Sequence, residues 1–413
     1  MQRTNWAILL CKFSDNASEP HTRNFYERLF TSAGPGSSNM SDFFHDVSHG
    51  FVDVGGSRIC GWFTLNQQRS DYTGSGVNPA GRQALVDWAK QKATDSGIDL
   101  TPFFGVVVSM NVSTDLFGGA RQVVCDPGSL QPSILGQEMG HGYGLDHSRT
   151  DGSVADYTDR WDVMSTWDSC FMAPHPEWTS VGPGLNAWNM RARGWLDESR
   201  VWKAPPGDFD ANLQLRPLHR TDLSGLLAAE VPGGLLIEFR TREGWDAAIP
   251  RSAVLLHRFA GNHSYIMRNS RGDQEFVVGD VYERGNPALF WLEGWLRLTV
   301  TAIDSATRTA TVSLRRRHGL RMPEFAQMLG GVSVDGGGWV IVGGRKVPVP
   351  PWSPLLQVLE EVAAFESAAT SPSVERASAI RRASLESIAE HVTTELSGVP
   401  HLNTPAPRTR EQG

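Results

Sequence analysis

Apolar positions along the chain follow two rhythms. In the amino-terminal part, unbroken apolar runs alternate with stretches of helical composition. Trp6 to Phe13 reads as a strand, Thr22 to Phe30 and Ser41 to Val47 as helices, Arg58 to Leu65 as a strand and Pro79 to Thr94 as a helix. Phe103 to Met110 is apolar almost throughout, the pattern of a strand covered on both faces. Gly118-Gly119 reads as a turn and Arg121 to Cys125 as a further strand. Pro132 then opens a helix at a position where its missing N–H costs nothing. This order predicts a sheet backed by helices.

After about residue 205 the rhythm shortens. Leu213 to Arg216, Leu226 to Val231, Leu235 to Thr241, Val254 to Phe259, Glu275 to Val278, Leu296 to Ile303 and Thr309 to Arg315 are brief runs between turn residues, as in an antiparallel β-sandwich. A glycine-rich hairpin is expected over Val332 to Val349, with Asp335-Gly336 as its turn and Pro350-Pro351 as its stop. Leu355, Leu356, Leu359, Val362 and Ala363 then recur at helical spacing, as do Leu385, Ile388, Val392 and Leu396. The polar, proline-containing tail beyond Val399 is expected to be disordered. The fold class is therefore α+β, with domains at 1–204, 205–317 and 318–413. The last is a hairpin and helical appendage.

Composition narrows the function. The 413 residues carry a formal net charge of −7, which argues against a nucleic-acid partner. The basic run Arg315-Arg316-Arg317 reads as a solvated strand end. No apolar stretch approaches the roughly 20 residues that a membrane span needs. Trp6 to Phe13 lacks a basic leader and a cleavage site, so it reads as a strand and not as an export signal. Trp167, Trp178, Trp188 and Trp195 read as core, and His45, His49 and His175 as surface or capping residues.

The chemistry concentrates between Gln137 and His147. Gln137 and His141 are four apart, so on a helix they lie on one face and can reach the same ion, while Glu138 stands where a bound water would sit. Gly144 can adopt the positive φ that turns the chain back. His147, three residues later, then becomes a third ligand.

The run Gln137-Glu138-Met139-Gly140-His141-Gly142-Tyr143-Gly144-Leu145-Asp146-His147 resembles the metzincin zinc-protease signature His-Glu-x-x-His-x-x-Gly-x-x-His, with Gln137 at the place of the first histidine. Asp162-Val163-Met164-Ser165 resembles the Met-turn, whose methionine packs beneath the metal. Asp156-Tyr157-Thr158-Asp159-Arg160-Trp161 is similar to the connection found in gametolysin-type and related bacterial, immune-inhibitor-like metallopeptidases, a family with members whose motif begins with Gln. The amino-terminal strand and the stretch Phe43 to Gly50 resemble parts of such domains too. Gly244-Trp245-Asp246 followed by Ile249-Pro250 resembles a stretch of the domain that comes next in bacterial members.

The resemblance implies a metal-dependent endopeptidase acting on protein or peptide substrates, with Gln137, His141 and His147 as ligands, Glu138 as general base, and Gly144 and Met164 as turns that shape the site. It also implies an extracellular location. Zinc is the expected ion, and the softer demands of a carboxamide leave room for copper or another divalent metal. Some metzincins carry a tyrosine two residues after the Met-turn methionine; here that position is Thr166, so no tyrosine is assigned to stabilising the transition state. Asp146 reads as a surface residue. In an oxidising compartment four cysteines allow three pairings, among which the sequence does not choose; Cys11 and Cys60, in apolar strand-like runs, read equally well as reduced buried thiols, and a Cys125–Cys170 bridge across the motif helix is slightly favoured. The competing reading is a catalytically inactive metzincin fold used as a binding module. A purely structural metal site is the third.

Overall fold

The computed structural model describes residues 2–74, 79–166, 170–285 and 294–317, with three short strands between 332 and 348. Within these the chain is α+β, several sheets carrying a few helices.

The amino-terminal sheet has five strands in the order Arg58–Thr64, Trp6–Lys12, Gly105–Met110, Gln122–Cys125, Phe117–Gly119. All neighbours are parallel except the last pair. The unbroken apolar run at Trp6 is explained by its central place. Trp6, Ile8 and Leu10 face a core shared with Phe43, Phe44, Leu135, Met139 and Met164. Ala7, Leu9 and Cys11 face Leu85, Val86, Ala89 and Ala93 of the helix Pro79–Asp95 on the other side. Alternate side chains of one strand thus feed two cores, which requires every position to be apolar.

The helices begin where side chains cap them. Thr22 accepts from the Phe25 backbone N–H at the start of Arg23–Phe30. Asn39 and Asp42 form a reciprocal capping box at the start of Met40–Val47, and the Asn39 amide also donates to the carbonyls of Arg28 and Thr31 at 2.7 and 2.8 Å.

Gly118-Gly119 is not the turn that its composition suggests. It ends the edge strand Phe117–Gly119, and the reversal falls at Ala120 and Arg121, both with positive φ. The reason is proximity: a Cβ on Gly118 would lie 2.1 Å from the carbonyl oxygen of Glu138, so only glycine lets the edge strand lie on the motif helix.

A second sheet runs in the order Val201–Lys203, Ala228–Val231, Leu235–Arg240, Ala253–Ala260, His263–Ile266, Arg149–Thr150. Its edge strand comes directly after His147, so the motif segment is stitched to strands more than a hundred residues away. Compact units divide the chain differently from the change of texture at residue 205. One comprises 1–204, 212–282 and 298–313, the other 205–211, 283–297 and 314–413. The strands expected in a separate domain from 205 to 317 therefore belong largely with the first 204 residues.

Two further expectations are corrected. Glu275 to Val278 is reduced to a single bridge between Phe276 and Val254. The strand His263–Ile266 is hidden in the sequence behind Gly261 and Asn262, a two-residue hairpin loop with positive φ at both positions. Strands at Val332–Asp335, Trp339–Val342 and Arg345–Pro348 pair antiparallel. The Asp335-Gly336 turn as a whole, the helices expected beyond residue 355, the tail and Trp167 lie outside the described residues.

Candidate metal centre

The motif helix spans Pro132–Gly142 and is held by small residues that admit close neighbours. A Cβ on Gly136 would stand 3.0 Å from the Phe43 ring, one on Gly140 2.6 Å from the Met164 sulfur, and one on Gly142 2.5 Å from Trp6. Gly136 and Gly140 are four apart, so one face of the helix lies flat on Phe43 and on the Met-turn. Leu135 and Met139 complete the contact with the core.

The helix ends as expected. Gly144 has φ +87°, its N–H bonds the His141 carbonyl at 2.8 Å, and the Leu145 N–H bonds the Gly140 carbonyl at 3.0 Å. The Tyr143 hydroxyl bonds Thr4 at 2.6 Å and the Trp6 indole at 3.1 Å, tying this end to the central strand. Beyond it, Asn262 donates to the Gly144 carbonyl and to Asp146, and the His263 ring bonds the His147 carbonyl at 2.8 Å. Asp146 thus serves the loop next to the site and does not reach into it.

His141 and His147 meet with Nε2 atoms 3.0 Å apart and rings nearly perpendicular. Their other nitrogens are both occupied by acceptors. His141 Nδ1 lies 2.7 Å from the Leu145 carbonyl, and His147 Nδ1 lies 3.1 Å from the Asp156 carboxylate. A carbonyl and a carboxylate can only accept, so each Nδ1 carries the hydrogen and each Nε2 presents a lone pair. Two lone pairs at this distance need something positive between them. Burial first, and the charge of His147 second, lower the pKa of His141 to about 4. A shared proton or a metal cation would supply what the lone pairs need.

Gln137 supports the same arrangement. Its side chain is buried in the motif helix, and Oε1 has no hydrogen-bond partner. An orphaned buried acceptor costs about 1–3 kcal/mol, which a bound cation would remove. Among the described residues no three His, Cys, Asp or Glu side chains are placed to hold an ion. The candidate donors here are two imidazoles that meet and one carboxamide a turn earlier on the helix of His141, donor types that suit a divalent transition metal.

Glu138 is buried beside them. Burial first, and the charge of Asp115 second, raise its pKa to about 7 against the opposing effect of Arg82. A carboxylate so placed takes up and gives back a proton near neutrality.

The segment expected to form a Met-turn is a short 3-10 turn over Val163–Ser165, with Met164 fully buried beneath Gly140. Asp162 caps it, accepting from the backbone N–H groups of Met164 at 2.7 Å and Asn186 at 2.5 Å. The Ser148 N–H donates to the Met164 carbonyl at 3.2 Å, and the Ser165 hydroxyl to the Ser148 carbonyl at 2.9 Å. Floor and third histidine are therefore one hydrogen-bonded piece. Thr166 turns its hydroxyl back onto the Val163 carbonyl.

Sequence reasoning missed Arg82, Asp115, Arg149 and the roles of Asp156 and Tyr157. Arg149 bonds Asp156 at 2.7 Å, and Asp156 holds His147. The Tyr157 ring lies on that of His147, with centroids 4.1 Å apart. Eight residues separate His147 from Asp156, and no local periodicity carries a pairing across such a loop. Trp178 and Trp195 are buried core, as expected, and Trp188 is half-buried against Phe259. His175 accepts from the N–H groups of Glu177 and Trp178, a capping role. The favoured Cys125–Cys170 bridge is not formed: none of the four cysteines is in a disulfide and all four are buried, and the Cys170 thiol bonds the Thr166 hydroxyl at 3.4 Å.

No family model matches the chain, and no curated protein matches it. Among solved structures, OgpA from Akkermansia muciniphila is similar at a TM-score of 0.32 and 10% identity, over 76% of this chain and 92% of that one. A second crystal form of OgpA gives 0.31 and 10%, over 76% and 94%. A likeness of that size carries no argument about fold or activity. Among the described residues no helix is long and apolar enough to cross a membrane.

Proposed function

We propose that the protein is a metal-dependent endopeptidase of the metzincin type, similar to gametolysin-like enzymes, acting on protein substrates. The observation that carries this reading is the meeting of two imidazole lone pairs, His141 and His147, both Nδ1 atoms being spoken for. The orphaned Gln137 oxygen on the same helix and the near-neutral Glu138 support it.

His141, His147 and Gln137 would hold the ion, zinc in the first instance. A divalent ion of this kind would lower the pKa of a water to about 7 and polarise a carbonyl. Glu138 removes the proton of the attacking water and returns it to the leaving amine. The edge strand Phe117–Gly119, paired on one side only and packed on Glu138, offers its free edge to an extended substrate chain, whose backbone would add as a further strand. An extracellular site of action goes with this reading.

A second reading has an observation behind it. Gln137 is a weaker donor than histidine and has no second N–H to be fixed by a neighbour, which suits an inactive fold retained for binding. Glu138 argues against that, since a binding module has no use for a buried, poised base. The test is cleavage of unfolded casein by the purified chain, abolished by a chelator and restored by zinc. Cleavage that a chelator leaves untouched would sink the proposal.

A further inference from the structure

We propose that Tyr157 is a catalytic residue of this centre, its phenol donating a hydrogen bond to the scissile carbonyl oxygen as that oxygen becomes negatively charged. This rests on the peptidase reading and adds to it a residue that no ligand spacing reveals.

The Tyr157 ring is tilted 46° on that of His147 at 4.1 Å between centroids, so the side chain stands at the wall of the site and not behind it. It is half-buried.

Its backbone is held in a costly conformation. Tyr157 has φ +61°, a left-handed value that bulky side chains avoid and that costs on the order of 1 kcal/mol or more. Both neighbours enforce it. Asp156 is tied to Arg149 and to His147. Thr158 is tied through its hydroxyl to the Thr150 N–H at 2.7 Å and through its carbonyl to the Thr150 hydroxyl at 2.9 Å and the Gln274 amide at 2.6 Å. Strain that its surroundings enforce from both sides, beside reacting groups, marks a side chain held in place for the chemistry.

In the step itself, the water oxygen bonds the carbonyl carbon while Glu138 takes the proton, and the π pair of the C=O moves onto oxygen, where Tyr157 receives it. Collapse re-forms the C=O and breaks the C–N bond, and the proton held by Glu138 goes to the amine. The phenol keeps its own proton throughout.

The experiment compares the full chain with Tyr157→Phe and Glu138→Ala. Three quantities are read: kcat and KM on dye-labelled casein, zinc affinity by competition with a chelator, and melting temperature. Phenylalanine keeps the ring on His147 and removes only the hydroxyl. The expected result for Tyr157→Phe is a kcat lower by about 100-fold, the scale of one lost oxyanion donor, with KM, zinc affinity and melting temperature close to those of the parent. A kcat within about threefold of the parent overturns the assignment, and so does a loss of activity matched by an equal loss of zinc affinity, which would make Tyr157 a mere support for His147. Inert Glu138→Ala beside fully active Tyr157→Phe removes Tyr157 alone. A parent without zinc-dependent cleavage, or Glu138→Ala as active as the parent, removes the peptidase reading and Tyr157 with it.

Discussion

Replacing Gln137 by leucine should stabilise the metal-free protein while abolishing its response to metal, a pair of effects that a glutamine with a purely structural role would not produce. Gln137 Oε1 is buried without a partner, so the metal-free fold bears the desolvation cost of one carbonyl, about 1–3 kcal/mol. Leucine has a similar volume and no polar atom. The variant should therefore gain about 1 kcal/mol without metal, which for a unit of this size raises the melting temperature by roughly 2–4 °C. With zinc at about 100 times its dissociation constant, the parent should gain about 2.7 kcal/mol from binding alone. Gln137→Leu should gain little, having lost one of three donors. Gln137→His should bind zinc more tightly than the parent, with activity kept or raised. The assay is thermal melting of the three proteins with chelator and with zinc. A chelated Gln137→Leu that melts below the parent, or a zinc shift equal in all three, would refute the idea that Gln137 is a ligand with an unmet need.

Two further outcomes follow from the same structure. Gly118→Ala should destabilise the fold by about 1–3 kcal/mol and disturb the site, because its Cβ would meet the backbone oxygen of Glu138 at 2.1 Å and neither backbone can yield freely; a melting temperature equal to that of the parent would be the contrary result. Acid should weaken the fold through His49, whose pKa burial lowers from 6.5 to about 4, opposed by its bond to the Leu218 carbonyl. The folded state keeps this ring neutral, so its contribution is present above the unfolded value near 6.5 and is lost as pH falls toward 4, by about 3 kcal/mol at most. His49→Gln, which can keep the bond to Leu218, should flatten the fall in melting temperature between pH 7 and 4.5, and an unchanged slope would count against the assignment.

Much of the centre was legible because its logic is local. A helix places positions four apart on one face, and a glycine that turns the chain back has a conformational signature, so the helix through His141, the turn at Gly144 and the approach of His147 follow from spacing, while the roles of Gln137 and Glu138 are implied by the resemblance. The central strand was legible too, since Trp6 to Cys11 has to satisfy two cores at once and contains nothing polar on either face. What escaped depends on contacts that spacing does not encode. Asp156 and Tyr157 reach His147 only because the loop between them folds back along Thr150 and Gln274. Gly118 has the look of a turn residue, although its task is to admit the Glu138 backbone. The hairpin at Gly261-Asn262 has readable turn chemistry, masked by the longer apolar runs around it. The four cysteines could be counted but not placed, and each turns out to be enclosed in its own surroundings.

The most direct test of a metal-activated water with Glu138 as its base compares the purified chain with Glu138→Ala, both carrying zinc in measured and equal amounts, on unfolded casein. The expected result is about one metal per chain in each protein and a rate lower by about 100- to 10,000-fold in the variant, the range associated with loss of a general base. Equal cleavage by both proteins at equal zinc content would contradict it, for the buried, poised carboxylate would then have no part in the chemistry.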